Sequence, residues 1–191
     1  MRNKTGLPTS IPPAIQRVAN DMTRVGRIGF WTQIVLGVLA LVATTVGSFS
    51  DLLSQEDAPQ GASSGLFFAI CSLITLAVAV YFCFRYVGIG KLLRSEDASQ
   101  RPSKGDTIRE IRLAISVNLI GMILSIVGAQ AITGATLIKI FTIPQAAVAV
   151  ERASRFVQPV DLVVIQANVT TITAHFCGFV ISLWLLNKIT K

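Results

Sequence analysis

Four stretches of the chain stay apolar for longer than a helix needs to cross a bilayer. They cover about residues 28–49, 65–87, 113–138 and 162–186, and Arg85, late in the second, is their only Lys, Arg, Asp or Glu. About 20 apolar residues span the hydrocarbon core of a membrane, and 18 or more without charge mark a transmembrane helix. The pattern therefore predicts an all-α integral membrane protein with four transmembrane helices. It divides the chain into an N-terminal segment 1–27, a four-helix domain 28–187 and a tail 188–191.

Between the spans the pattern changes period. Pro12-Pro13 sets the start of a helix, after which Ile15, Val18, Met22 and Val25 recur at helical spacing while Arg17, Asn20, Arg24 and Arg27 take the other faces. Such a basic amphipathic stretch either lies on the membrane surface or prolongs the first span. In the connection 85–112, Ser95 to Gly105 is polar and turn-like, and Thr107-x-x-Glu110 fits a capping box opening the third helix. The connection 139–161 holds Thr142-x-x-Gln145 around Pro144, a partly apolar face (Ala147, Val150, Ala153 and Phe156 or Val157) and a Glu151/Arg155 pair one turn apart. A second amphipathic surface helix is expected there, ended by Pro159. Trp31, Tyr81, Arg85 and Tyr86 fall where interfacial anchors belong.

Composition agrees with this picture. Charged residues make up 14% of the chain and hydrophobic ones 52%, and mean hydropathy is +0.63, whereas soluble domains carry about 25% charged residues. The net charge of +7 comes with no nucleic-acid motif, so nucleic acid is not an expected partner and the lipid bilayer is. Fourteen of the 17 Lys and Arg lie in the N-terminal segment, the second connection and the tail. The positive-inside rule then places both termini on the cytoplasmic or stromal side.

Inside the spans, small and polar residues form stripes at spacings of three and four, which keep each set on one helical face. The first is Gln33, Gly37, Ala40, Thr44 and Gly47; the third-span stripe is Asn118, Gly121, Ser125 and Gly128; the fourth is Asn168, Thr171, His175, Gly178 and Ser182. Such stripes pack helices closely, or line a polar path. His175 is the one histidine and lies deep in a span, where an ionisable residue points to function. It could ligate a metal, pass a proton, or hydrogen-bond Asn118 or Gln33 across the bundle. Cys177 lies about 200° further round the helix and cannot share an ion with it. Cys71, Cys83 and Cys177 all lie in apolar runs and make no disulfide framework. No acidic residue falls in a span, and no catalytic dyad, zinc signature or phosphate loop appears. An enzyme is not expected, nor a resident cofactor.

Two stretches carry a family resemblance: Arg24-Val-Gly-Arg-Ile-Gly-Phe-Trp-Thr-Gln-Ile-Val-Leu-Gly37, and Asp161-Leu-Val-Val-Ile-Gln-Ala-Asn168 followed by Ala174-His-Phe176 and Ser182-Leu-Trp-Leu-Leu186. They resemble the small four-helix inner-envelope proteins of the chloroplast Tic translocon group, also described as chloroplast iron permeases, with cyanobacterial relatives grouped under a domain of unknown function. The resemblance implies four spanning helices. It also implies a place in the chloroplast inner envelope, or in a cyanobacterial plasma or thylakoid membrane. Two roles follow from it: transport of iron or another divalent metal as cargo, with His175 as the candidate ligand, or a non-catalytic scaffold or translocon subunit for protein import or photosystem assembly. A homo-oligomer or a larger membrane complex is the expected setting.

Overall fold

The computed structural model describes residues 11–54, 60–142 and 159–190, and among these there is no strand. Four helices make up nearly all of it: α1 (Pro13–Ser54), α2 (Gln60–Leu92), α3 (Lys104–Thr142) and α4 (Pro159–Thr190). Each contains one of the apolar stretches, and each is long and apolar enough to cross a membrane.

Cross-helix pairs give the topology. Arg85 meets Glu110 and Ser72 meets Gly121, so α2 and α3 run antiparallel. Ser125 meets Asn168, and His175 meets Asn118, so α4 runs back along α3. Asp21 meets Lys188 and Gln33 meets Ala174, which closes α4 onto α1. The result is an up-down-up-down bundle. α1 and α3 each pack on α2 and α4, and α2 and α4 also approach one another across the centre.

The bundle is apolar outside and polar at several points inside. Leu39, Val42, Phe49, Phe67, Ile74, Ile123 and Phe176 are all more than half exposed. Water would not tolerate so continuous an apolar surface on a monomer, whereas acyl chains solvate it. Buried in the interior are Gln33, Ser72, Asn118, Ser125, Asn168, Thr171, His175 and Ser182.

The first amphipathic stretch proves to be the opening turns of α1, not a separate surface helix. Its apolar face has a partner: Met22, fully buried, packs with Tyr86, Ile111 and Leu185, flanked by Val18 and Val25. Tyr86 likewise lies in this cluster and not at the membrane interface, because its hydroxyl finds Ser182 Oγ at 2.9 Å inside the bundle. Tyr81, 53% exposed, does face outward, as does Trp31 at 60%. Helix α3 starts three residues before the expected capping box. Ser103 Oγ accepts from the Asp106 amide at 3.0 Å and donates to the Asp106 carboxylate at 2.7 Å, a reciprocal cap that leaves Thr107 inside the helix and Glu110 free to pair with Arg85 at 2.7 Å. Thr142 ends α3, and Pro159 opens α4. The expected surface helix between them lies outside the described residues.

The start of α1, the α2–α3 connection and the end of α4 share one end of the bundle. Arg94 donates to Asn20 Oδ1 at 2.6 Å, Lys188 stands 3.8 Å from Asp21, and the Arg101 guanidinium donates twice to the Ser95 carbonyl, at 3.0 and 2.9 Å. A short 3-10 turn, Ala98–Gln100, is capped by Asp97. The Ser99 hydroxyl and amide hold that carboxyl below its ordinary value.

Candidate functional site

Hydrocarbon offers no water to a polar group, so every deep polar side chain must find its partner in protein. Here the partners lie across helices. Gln33 Nε2 donates to Asn118 Oδ1 at 3.0 Å and to the Ala174 carbonyl at 3.3 Å. The Cys83 thiol donates to Gln33 Oε1 at 3.2 Å. Asn118 Nδ2 bonds back to the Ala114 carbonyl at 2.9 Å. His175 reaches the Ser72 carbonyl through Nε2 at 3.2 Å and Asn118 Oδ1 through Nδ1 at 3.4 Å. Ser72 Oγ in turn donates to the Gly121 carbonyl at 3.0 Å. One cluster therefore joins all four helices.

The donor pattern fixes the chemistry of the imidazole. A backbone carbonyl only accepts, so the Nε2 proton points to Ser72. Nδ1 then faces an amide oxygen at a distance too long for a strong bond. Turning the Asn118 amide over would supply a donor to Nδ1, but would set its oxygen against the Ala114 carbonyl and its nitrogen against Gln33 Nε2. The assigned orientation therefore satisfies more groups. The amides of Gln33 and Asn118 also interrupt the chain as a proton path, since neither exchanges a proton readily.

Glycines make the room for this cluster. A Cβ on Gly121 would strike the His175 ring and Thr75 Oγ1, and one on Gly178 would strike Gln33 Nε2 and Asn118 Oδ1. Gly128 makes similar room at the next level away from the basic end, where a Cβ would stand 3.1 Å from the Gly65 carbonyl and 3.2 Å from Asn168 Oδ1. At that level Ser125 Oγ donates to the Asn168 carbonyl at 3.0 Å. Asn168 Nδ2 bonds to the Val164 carbonyl at 3.2 Å, and Asn168 Oδ1 is the one buried side-chain oxygen without a hydrogen-bond partner among the described residues. Thr44 and Thr171 close onto their own helix carbonyls at 2.8 and 2.9 Å.

Each residue of the three predicted stripes is buried except Gly37, which is half-buried at a cleft between α1 and α2. That cleft holds about 300 Å³ and is lined by apolar side chains such as Ile34, Leu41, Leu73 and Val80. It opens on the outer surface, away from the axis. Among the described residues no three His, Cys, Asp or Glu side chains come together as a metal site. Both ring nitrogens of His175 face protein acceptors.

Sequence reasoning missed the contribution of α2. Gly65, Ala69, Ser72, Leu76, Ala79, Cys83 and Tyr86 follow the same alternation of four and three, and all seven are buried. The signal was present, but Leu76 and Tyr86 are too large for a search confined to small or polar residues.

The family described as "Protein of unknown function (DUF3611)" matches residues 12–190. A curated relative, "Protein TIC 21, chloroplastic" of Arabidopsis thaliana, is 32% identical over 182 residues, covering 92% of this chain and 59% of the relative. The chain thus spans less than two thirds of that relative's length. No solved structure matches it.

Proposed function

The chain belongs to the DUF3611 family, and on that premise we propose that it is a non-catalytic scaffold or translocon subunit of a chloroplast inner-envelope or related cyanobacterial membrane, acting in protein translocation or membrane-protein assembly. The single observation behind this reading is the closure of the seam. Gln33, Asn118 and His175 are each at most 1% exposed; Gln33 and Asn118 spend their polar atoms on one another, on the Cys83 thiol and on backbone carbonyls, and His175 Nε2 is spent on the Ser72 carbonyl. A permeation path needs groups that trade protein partners for cargo. These groups hold four helices in register instead, which suits a rigid body presenting its outer faces to partners. Similarity to a protein named for the Tic group supports the same choice.

Metal transport is the competing reading. Its support is the family resemblance and the position of His175, and it requires the seam to open around the imidazole and recruit ligands from elsewhere. Ferrous iron flux into proteoliposomes, measured beside the His175→Ala variant, separates the two. The scaffold reading expects no flux above empty liposomes. It also expects slowed insertion or import of a reporter precursor in membranes depleted of the protein. Saturable flux that disappears in the variant would replace it with a permease.

A further inference from the structure

We propose that the outer face of α3, where it enters the membrane at the basic end, binds an acidic membrane lipid through Arg109 and Arg112. A depression of about 230 Å³ lies there, lined by Gly105, Ile108, Arg109, Arg112, Leu113 and Ser116. These positions repeat at three and four and form one face of the helix. Gly105 opens its upper edge, because nothing nearer than Ser103 Oγ, 3.7 Å from a would-be Cβ, occupies the space.

The depth of the site selects the ligand. The uncharged stretch of α3 begins at Leu113, directly below both arginines. The guanidiniums therefore sit at headgroup level, and Leu113 begins the acyl region. A soluble anion would use only the upper half of this surface. A lipid with a phosphodiester or sulfonate headgroup would use all of it, with a chain lying along α3.

The cations at this end are not equivalent. Arg85 is paired with Glu110, Arg94 with Asn20, Arg101 with the Ser95 carbonyl and Lys188 with Asp21. Arg109 and Arg112 are both exposed, and neither guanidinium is engaged by another described residue; Arg17, Arg24, Arg27, Lys91 and Lys104 are exposed and unpaired among the described residues too, but Arg109 and Arg112 are the pair that lines the depression. Asp106, the acid one turn before Arg109, is occupied by Ser103. Two free guanidiniums a turn apart can grip one anionic headgroup by the forked hydrogen bonds that arginine makes with phosphate oxygens.

The test uses the purified full chain in neutral detergent, with phosphatidylglycerol, phosphatidylcholine and acyl-free glycerol phosphate as ligands, and bound lipid counted by native mass spectrometry. The variants are Arg109→Gln/Arg112→Gln and, as a control of equal charge loss, Arg24→Gln/Arg27→Gln on α1. Unchanged gel-filtration profiles report that both fold. The expected result is one retained phosphatidylglycerol, weakened about tenfold or more by the α3 pair, since each basic residue near an anionic headgroup contributes severalfold in affinity, and left intact by the α1 pair. Equal weakening by both pairs would mean a diffuse field and would overturn the site. So would equal retention of phosphatidylcholine, or equal binding of glycerol phosphate. This inference stands independently of the translocation reading.

Discussion

Gln33 on α1 and Asn118 on α3 share a hydrogen bond of 3.0 Å across the long diagonal of the bundle. Their helices are not packing neighbours: α2 and α4 lie between them. The bond is therefore a strut and not a by-product of helix contact. Asn118 Oδ1 also stands 3.4 Å from the His175 ring, whose Nε2 donates to the Ser72 carbonyl on α2.

A strut of this kind has a measurable coupling. In Gln33→Leu, Asn118 Oδ1 loses its close donor and the Cys83 thiol its acceptor, so the variant is expected to lose about 1–3 kcal/mol of stability, the usual cost of stranding a buried polar group. Asn118→Leu leaves Gln33 Nε2 with its longer bond to the Ala174 carbonyl, and the Ala114 carbonyl keeps its helical amide partner, so this variant is expected to cost less, about 0.5–1.5 kcal/mol. The double variant strands fewer groups than the two singles added together. A thermodynamic cycle by steric trapping or detergent unfolding should show favourable coupling of about 0.5–1.5 kcal/mol, within the range for interhelical bonds in membranes. Strict additivity would count against the strut.

Four glycines should respond differently to the same added methyl. Gly121→Ala and Gly178→Ala drive a Cβ into His175 and into Gln33 with Asn118, so each is expected to cost about 1–3 kcal/mol by overpacking. Gly88 has nothing within 4 Å of its would-be Cβ, and Gly88→Ala is expected to be neutral or to stabilise by about 0.5–1 kcal/mol through helix propensity. Gly37→Ala falls between, because its nearest neighbour is the tip of Leu76 at 3.1 Å, beside an open cleft. Thermal midpoints of the four variants give the order directly. A Gly88→Ala loss as large as that of Gly121→Ala would sink the packing argument.

His175 acts here as a fitted, hydrogen-bonded core side chain. His175→Ala is expected to lower stability by about 2–4 kcal/mol, as other large-to-small core changes do, because the ring fills the space that Gly121 vacates. In His175→Ala/Gly121→Ala the new methyl no longer meets a ring, so the second substitution is expected to cost much less than it does alone. Unfolding of the two singles and the double shows whether the sites are coupled. Independent effects would mean that the ring does not occupy the Gly121 notch.

Much of this arrangement is legible in the sequence. The spacings of four and three in the first, third and fourth spans name Gln33, Asn118, Asn168 and His175 as one inward set, because helical period alone decides which residues share a face. Which partner each one takes is not legible. Periodicity does not say that Cys83 rather than Thr75 reaches Gln33, or that the Ser72 backbone and not its hydroxyl meets the imidazole. The fate of Met22 is also open at that level. An amphipathic turn buries its apolar face in lipid or in protein, and the choice depends on Tyr86 and Leu185, distant in sequence, standing opposite it. The start of α3 is misplaced by the shared S/T-x-x-D/E pattern. Ser103 and Asp106 match it one turn earlier than Thr107 and Glu110, and the earlier match takes the cap.

Orientation in the membrane is the last expectation, and it follows from charge together with the fold. The antiparallel bundle places residues 92–104 at the same end as the start of α1 and the end of α4, and that end collects most of the basic residues. Moving Lys and Arg across a bilayer during insertion is costly, so this end is expected to stay on the cytoplasmic or stromal side. Cys71, Cys83 and Cys177 all lie within the helices and can be replaced by Ala or Ser to give a thiol-free background. In that background Glu96→Cys, in the exposed α2–α3 connection, should react with a membrane-impermeant maleimide only after the membrane is opened. Glu56→Cys, between α1 and α2 in sequence, should react in sealed membranes. The reverse pattern would invert the topology and carry Arg109 and Arg112 to the other leaflet. Reaction of both positions from one side would contradict four spanning helices, since α2, which joins them, could not then cross.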